Sequence, residues 1–356
     1  MAPRMRGFSS RQRLLLAGIA VLTAVTGFMH YGDADPTATF IVAIVALAGL
    51  AWIVSFATEQ VGERFGPAVT GFLQSTLGNL PEFFIVIFAL SAGEVVVAKT
   101  SLIGSLFANA LLVLGIVIMV GARTGGGCMR FSPRLPRDTT TLLLLAVFTI
   151  VIIGMAVQSG ARAGRHVTTI SVAGAICLLV VYFIWIWGYL RSDVPHEAEQ
   201  ASAPTVPLRV SIVLLTVAGV GAAFVSDWFI AALDPAVRAL GISKEFAGLV
   251  IVAIAGNAVE NATGVILASK GQSDLAISVV KNSVAQIAAF LFPALILVSL
   301  LFKNTLTFEL APVYIGALLL TALAIWQITG DGEAAEFEGA ALIGFYVVLA
   351  VFALAD

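Results

Sequence analysis

The strings GNLPE at residues 78–82 and GNAVE at residues 256–260 each interrupt a long apolar segment. Each string ends in a glutamate where a bilayer-spanning helix usually has no charge, and a charged carboxylate at the bilayer centre costs roughly 2.5 to 3.5 kcal/mol. The asparagine lies three residues before the glutamate, so amide and carboxylate share one helix face. Two such faces offer oxygens that can together line one cation site.

The composition identifies the broad class of protein. The chain is 60% hydrophobic and 11% charged, with a mean hydropathy of +1.03, which is far outside the soluble range. We therefore expect a polytopic membrane protein surrounded by lipid. The 19 basic and 21 acidic residues nearly balance, so the chain lacks the basic footprint of nucleic-acid binding. Cys128 and Cys177 match neither a disulfide framework nor a zinc site and are interpreted as free thiols.

Apolar runs long enough to cross about 30 Å of hydrocarbon recur along the chain. They cover residues 14–30, 38–56, 67–90, 99–121, 139–157, 168–190, 208–226, 246–269, 275–302, 306–328 and 339–355. The predicted fold is therefore all-α, with about eleven transmembrane helices.

Ten of these helices are predicted to form two inverted-topology repeats of five helices each. The two strings lie on the second helix of each set, and an odd number of crossings inverts the second set relative to the first. The predicted organisation is a cytoplasmic N-terminus with an extra transmembrane helix over 1–37, a first repeat over 38–190, a hydrophilic linker over 191–207 and a second repeat over 208–356. The linker is interpreted as solvated, with a regulatory or cation-attracting acidic loop as the alternative.

The distribution of lysine and arginine predicts the orientation. Basic loop residues are about twice as frequent on the side of the N-terminus, which the positive-inside rule places in the cytoplasm. The short N-terminus and compact loops suggest the plasma membrane of a prokaryote.

The two strings offer the oxygen chemistry that Ca²⁺ prefers. Calcium takes about six to eight oxygen ligands from carboxylates, carbonyls and water in flexible geometry. The strings supply such oxygens from Glu82, Glu260, Asn79, Asn257 and the backbone near Gly78 and Gly256. The same glutamates can bind protons instead, and metal binding requires them deprotonated. The glutamates therefore hold either the metal or the protons, but not both at once. Such mutually exclusive binding is the basic requirement of an antiporter.

Each string is followed by a break and then by a helix with small polar residues. The breaks are predicted at 91–93 and 270–272. The small polar residues are Gly104, Ser105 and Asn109 in one helix and Asn282, Ser283 and Gln286 in the other. Such residues also serve helix packing alone, which is the alternative interpretation.

These stretches resemble the calcium/proton exchangers of the cation/calcium exchanger superfamily. The first repeat of that family is similar to FATEQ at 56–60 with Gly66-Pro67, GNLPEFFIVIFAL at 78–90 and SLIGSLFANALLVLG at 101–115, and the second repeat is similar to residues 248–297. The resemblance implies Ca²⁺ export or sequestration driven by inward protons, with both ions as transported substrates and no cofactor. It further implies that Glu82 and Glu260 bind cation and protons, and that Asn79, Asn257, Ser105, Ser283 and Gln286 line the site. A homo-oligomer is compatible with the sequence.

Three positions depart from the family pattern. Many relatives have histidine where this chain has Asn261, so no imidazole senses protons there. Ala108 stands where a small polar residue is usual. Lys281 stands where relatives have a small or apolar residue, on the helix face of Asp274 seven residues earlier. Lys281 is interpreted as pairing with Asp274 or snorkelling, and the alternative is that its charge enters the cavity and weakens divalent binding.

Other functions remain as alternatives. The first is an antiporter of another cation, exchanging Na⁺, K⁺ or Mn²⁺ for protons, or Na⁺ for Ca²⁺. An intramembrane enzyme is disfavoured because the apolar segments contain no histidine cluster, nucleophile with a base, or aspartate pair. A channel is also disfavoured, because the inverted repeat and the protonatable pair of glutamates suit a transporter that works by alternating access better.

Overall fold

A computed structural model of the chain describes residues 7–62, 77–191 and 205–355. Side chains are described in these ranges except at residues 62, 134–136, 189–191 and 259–261. Several predictions fall outside the described residues. They concern residues 192–204 of the predicted linker over 191–207, the first part of the apolar run at 67–76, and the side chains of Glu260 and Asn261.

Helices make up most of the described chain. In the N-terminal half they are α1 (Ser10–Tyr31), α2 (Pro36–Gly62), α3 (Leu80–Ala92), α4 (Val95–Thr124), α5 (Arg134–Gln158) and α6 (Val167–Arg191). In the C-terminal half they are α7 (Leu208–Leu240), α8 (residues 244–256), α9 (Ala258–Ser269), α10 (Ser273–Ser299), α11 (Pro312–Thr329) and α12 (Glu336–Ala355). Three of these helices contain a π-helical turn: Ala108–Val113 in α4, Ala247–Val252 in α8 and Ile287–Leu291 in α10.

Most of the predicted membrane crossings are continuous helices. Within the described ranges, nine helices are long and apolar enough to span a bilayer, namely α1, α2, α4 to α7 and α10 to α12. The two apolar segments that carry the strings differ. The segment predicted over 246–269 is divided at Asn257 into α8 and α9, and the described part of the other contains the shorter α3. The predicted all-α polytopic fold is confirmed, whereas the count of eleven and the inverted repeats stay predictions.

The backbone repeats locally at an interval of 178 residues. Glu260 follows Glu82 by this interval, and each glutamate is the third residue of its helix, α9 or α3. Gly271 follows Gly93 by the same interval, and both have positive φ angles, 73° and 84°. A residue with a side chain rarely adopts such angles, so glycine fits the sharp turn that ends each short helix. The predicted break at 270–272 is confirmed, whereas the break predicted at 91–93 lies at Gly93 and Glu94, because Ser91 and Ala92 are still helical.

Contacts divide the chain into two compact units, and unit 1 contains the described residues 7–62, 77–88, 183–191 and 205–241. Here α2 packs along α7, with the Phe40 and Phe229 rings stacked at a centroid distance of 4.9 Å. The buried Gln60 near the end of α2 accepts hydrogen bonds at Oε1 from the backbone amides of Thr205 and Val206, at 2.7 and 3.3 Å. These bonds hold the segment that leads into α7 against α2.

Unit 2 contains described residues 89–182 and 242–355. Its α4 and α8 cross so closely that neither crossing point has room for a side chain. A Cβ atom at Gly104 would lie 2.6 Å from the Leu249 Cα atom, and one at Gly248 would overlap the side chain of Thr100. Glycine at both positions therefore permits direct backbone contact, as is common between membrane helices.

A small antiparallel sheet in unit 2 was not predicted. Strand β1 (Cys128–Arg130) pairs with β2 (Glu333–Ala335), and an ion pair of 3.1 Å joins Arg130 to Glu333. Three residues are too few to show the alternation of polar and apolar residues from which strands are predicted. The sheet joins the loop after α4 to the loop after α11.

We expect Gly104→Ala to lower the melting temperature in detergent, because the new methyl group forces α4 and α8 apart. The expected loss is about 1 to 3 kcal/mol, as for other overpacked cores. The matched control is Gly344→Ala on α12, where a Cβ atom meets nothing within 4 Å. Equal melting temperatures for the two variants would contradict the close crossing.

Candidate functional site

The first string places an amide and a carboxylate at the start of a short helix in unit 1. Gly78 and Asn79 form a turn, and the Asn79 carbonyl accepts the first hydrogen bond of α3, from Phe83 N at 3.0 Å. Asn79 is 3% exposed and Glu82 is 2% exposed. Glu82 lies in the first turn of α3, where the partial positive charge of the helix N-terminus stabilises a carboxylate.

The second string has the same backbone pattern in unit 2. Helix α8 ends at Gly256 and α9 begins at Ala258, so Asn257 lies in the break with φ −97° and ψ 9°. Glu260 lies in the first turn of α9, at the position that Glu82 has in α3. Its side chain belongs to the part of the chain that the structure does not describe.

A buried network of amides and hydroxyls surrounds Asn257. Asn109 Nδ2 donates to Asn257 Oδ1 at 2.8 Å and to Ser283 Oγ at 3.1 Å. Asn257 Nδ2 in turn donates to Ser105 Oγ at 2.9 Å and to the Ala253 carbonyl at 2.8 Å. These polar side chains come from α4, α10 and the break between α8 and α9, and all are buried. The structure therefore brings together Asn257, Ser105 and Ser283, as the sequence predicts.

Asn109 is the residue that the predicted site lacks. The sequence shows it only as one of several small polar residues in α4, yet it is the donor that joins Asn257 to Ser283. Its own Oδ1 is buried and accepts no hydrogen bond from the side chains that the structure describes. Asn282 Oδ1 in α10 is in the same situation. Buried acceptors of this kind are uncommon and suit a cation ligand.

The predicted site uses carboxylate and amide oxygens from separate segments of the sequence. No group of three or more His, Cys, Asp or Glu residues with metal-binding geometry exists among the described residues. Gln286, another predicted lining residue, is buried in α10 three residues after Ser283. The described site residues of unit 2 therefore offer neutral oxygens.

The predicted pairing of Lys281 is wrong. Lys281 Nζ donates to Thr140 Oγ1 at 2.6 Å and to Thr329 Oγ1 at 3.2 Å, whereas Asp274 Oδ1 accepts from the backbone amide of Ser132. Lys281 is 2% exposed, so it does not snorkel either. Seven residues along a helix amount to about 10 Å, and the threonine hydroxyls are closer partners than Asp274.

Sequence comparison places these features in a known family. Residues 36–190 and 210–355 match the family described as sodium/calcium exchanger protein. The chain belongs to this family. It is therefore an integral, multi-pass membrane protein, and the predicted kinship with cation exchangers is confirmed.

Individual relatives of this exchanger cover most of its length. A vacuolar calcium ion transporter of Schizosaccharomyces pombe is 31% identical over 325 residues, which are 88% of this chain and 78% of that protein. The Ca²⁺/H⁺ antiporter ChaA of Bacillus subtilis is 28% identical over 345 residues, which are 95% of this chain and 97% of that protein. The solved structure of native YfkE has a TM-score of 0.80 and 27% identity, covering 96% of this chain and 99% of its own.

Replacement of the central donor tests the amide network of the exchanger. We expect Asn109→Leu to destabilise the protein by about 1 to 3 kcal/mol, since Asn257 Oδ1 then loses its donor in a buried setting. The measurement is thermal unfolding in detergent. Ser283→Ala keeps the bond between Asn109 and Asn257 and is the control, with a smaller expected loss. A parent-like melting temperature for Asn109→Leu would contradict the network.

Proposed function

We propose that this protein is a secondary active transporter that exchanges Ca²⁺ for protons across a membrane by alternating access. In this proposal Glu82 and Glu260 bind both the cation and the protons. The residues that complete the cation ligands or line its path are Asn79, Asn257, Asn109, Ser105, Ser283, Gln286 and the backbone at Gly78 and Gly256. The supporting observation is the burial of Glu82 in an apolar helix, within a string that recurs 178 residues later.

The names of the relatives support the choice of ions. ChaA is a Ca²⁺/H⁺ antiporter, and the transporter of Schizosaccharomyces pombe carries calcium ions. The match to ChaA extends over nearly the whole of both chains. An exchanger fold with one carboxylate in each string fits such an exchange without a further cofactor.

The coupling follows from the shared use of the carboxylates. Ca²⁺ binds deprotonated Glu82 and Glu260, and protons bind the same oxygens when Ca²⁺ leaves. One Ca²⁺ or two protons neutralise two carboxylates, so both loaded forms carry no net charge on this pair. The empty form carries two negative charges, whose burial costs several kcal/mol. We infer that the empty transporter rarely switches access from one side of the membrane to the other. This limits the movement of one ion without exchange for the other.

The remaining features of the proposal concern architecture and location. The exchanger repeats cover 38–190 and 208–356 with inverted topology, joined by the hydrophilic linker over 191–207, and residues 1–37 add one helix. Excess positive charge in the loops on one side supports a cytoplasmic N-terminus, and a prokaryotic plasma membrane remains the proposed location.

The main alternative is exchange of another cation. Sodium for calcium, or Na⁺, K⁺ or Mn²⁺ for protons, would use the same architecture. An enzymatic role is disfavoured because the relatives are transporters. Uptake of labelled Ca²⁺ into proteoliposomes, driven by an imposed pH gradient without sodium, separates these possibilities. Uptake that requires a sodium gradient instead would overturn proton coupling.

We expect Glu82→Gln and Glu260→Gln each to abolish exchange, because each removes one negative charge and one proton carrier. The measurement is Ca²⁺ uptake under a pH gradient, with insertion checked by gel filtration in detergent. Glu336→Gln is the matched control, since Glu336 forms a largely exposed ion pair with Arg123 at 2.7 Å. If either string variant keeps more than half of the parent rate, that glutamate is structural.

Ca²⁺ binding should release protons to the buffer, and its apparent affinity should rise with pH. The sign follows because protons and Ca²⁺ compete for the same carboxylates, so a lower proton concentration favours Ca²⁺. Calorimetric titration in two buffers of different ionisation enthalpy measures the release. Glu82→Gln should release fewer protons than the parent. Absence of release throughout the neutral range would count against proton-coupled exchange.

A further inference from the structure

A lysine is buried among the helices of unit 2. The ammonium group of Lys281 on α10 lies 2.6 Å from Thr140 Oγ1 on α5 and 3.2 Å from Thr329 Oγ1 on α11. None of the ion pairs formed by described residues includes Lys281. Burial of a cation costs several kcal/mol unless its surroundings compensate, and an ionisable residue within a membrane segment is therefore retained mainly for a role.

The C-terminal end of α11 provides much of the compensation. Thr329 is the last residue of α11, where the carbonyl groups give the helix a partial negative charge. The Thr329 hydroxyl donates to the Ile325 carbonyl at 2.7 Å, which leaves its lone pairs for the ammonium of Lys281. Arg137 of α5 donates through Nε and Nη2 to the Gly330 carbonyl at 3.1 and 2.9 Å. Two cationic side chains thus hold the same helix end.

Lys281 and Ser283 point to opposite sides of α10. Two residues along a helix correspond to a rotation of about 200°. Lys281 contacts α5 and α11, whereas Ser283 accepts a hydrogen bond from Asn109 on α4. The ammonium therefore does not enter the amide network. The same helix carries Gln286 one turn after Ser283.

We propose that Lys281 is a positioning residue for cation exchange: its bonds to Thr140 and Thr329 fix the rotation of α10 that presents Ser283 and Gln286 to the transported cation. This inference rests on the proposed exchange function. The connection belongs to one half of the chain alone, because the residue 178 positions earlier is the buried, apolar Ile103. The side chain at the corresponding position of the first half therefore cannot form such hydrogen bonds.

The test compares variants that remove the hydrogen bonds between Lys281 and the two threonines with a variant that keeps them. Lys281→Met preserves length and volume but removes the donor, and Thr329→Val removes one acceptor. Thr329→Ser keeps the hydroxyl and is the matched control. The half-saturating Ca²⁺ concentration for uptake under a pH gradient should rise at least about threefold in the first two variants, as when supporting residues of a metal site are lost. The maximal rate should change much less.

Binding without transport gives the second measurement. The rise in melting temperature produced by Ca²⁺ in detergent should be smaller for Lys281→Met and Thr329→Val than for the parent or Thr329→Ser. If Lys281→Met is not recovered folded, the comparison of Thr329→Val with Thr329→Ser decides alone. The double variant Lys281→Met with Thr329→Val should be no worse than the more affected single variant, because both remove one connection.

Three outcomes would overturn the inference. The first is an unchanged half-saturating Ca²⁺ concentration in a folded Lys281→Met or Thr329→Val, which would make the connection purely structural. The second is a lower value in Lys281→Met, which would mean that the ammonium repels the cation. The third is a Thr329→Ser that behaves like Thr329→Val. Failure of the proposed function is distinct, because then the parent itself shows no Ca²⁺ uptake driven by a pH gradient.

Discussion

A buried amide needs hydrogen-bond partners within the protein, and Asn257 finds them on other helices. The break between α8 and α9 leaves polar groups without helical partners, and such groups cost several kcal/mol each inside a membrane. Asn109 and Ser105 of α4 bond the Asn257 side chain, and Ser283 of α10 joins through Asn109. The packing of α4 and α10 around the break between α8 and α9 depends on this network, because separating any of these three segments would leave a buried amide or hydroxyl unpaired.

The two strings apply one local design in different surroundings. Each has a Gly-Asn turn, then a short helix with glutamate in its first turn, then a glycine of positive φ and a long helix. In unit 2 the network around Asn257 supports this design. In unit 1, Asn79 and Glu82 lie buried at the start of α3, while Leu80, Phe84 and Phe88 of the same helix line a cavity of about 550 Å³ with α7. Helix α3 thus carries the glutamate at its start and apolar side chains towards this cavity.

Hydropathy and short strings predict much of this fold, and packing explains what they miss. Continuous apolar runs predict the long helices because each helix satisfies its own backbone. The sequence after each string predicts a break, and Gly93 and Gly271 form the turns there. The break at Asn257 is not predicted, because the apolar run over 246–269 is continuous. Lys281 was misassigned because its partners, Thr140 and Thr329, lie 141 and 48 residues away and have no local signal. Asn109 was underrated for the same reason, since its importance comes from contacts across three chain segments.

The π-helical turn in α4 changes how positions along that helix compare. A π turn holds one more residue than an α turn, so residues beyond it are displaced by about 100° relative to an uninterrupted α-helix. Asn109 lies inside the turn at Ala108–Val113, and Gln286 directly precedes the turn at Ile287–Leu291 in α10. A helical wheel drawn through either segment would therefore assign the wrong faces. In each helix, the residues before the π turn and the residues after it must therefore be plotted on separate helical wheels. A residue-by-residue mutational scan of either helix should assign the faces separately for these two parts.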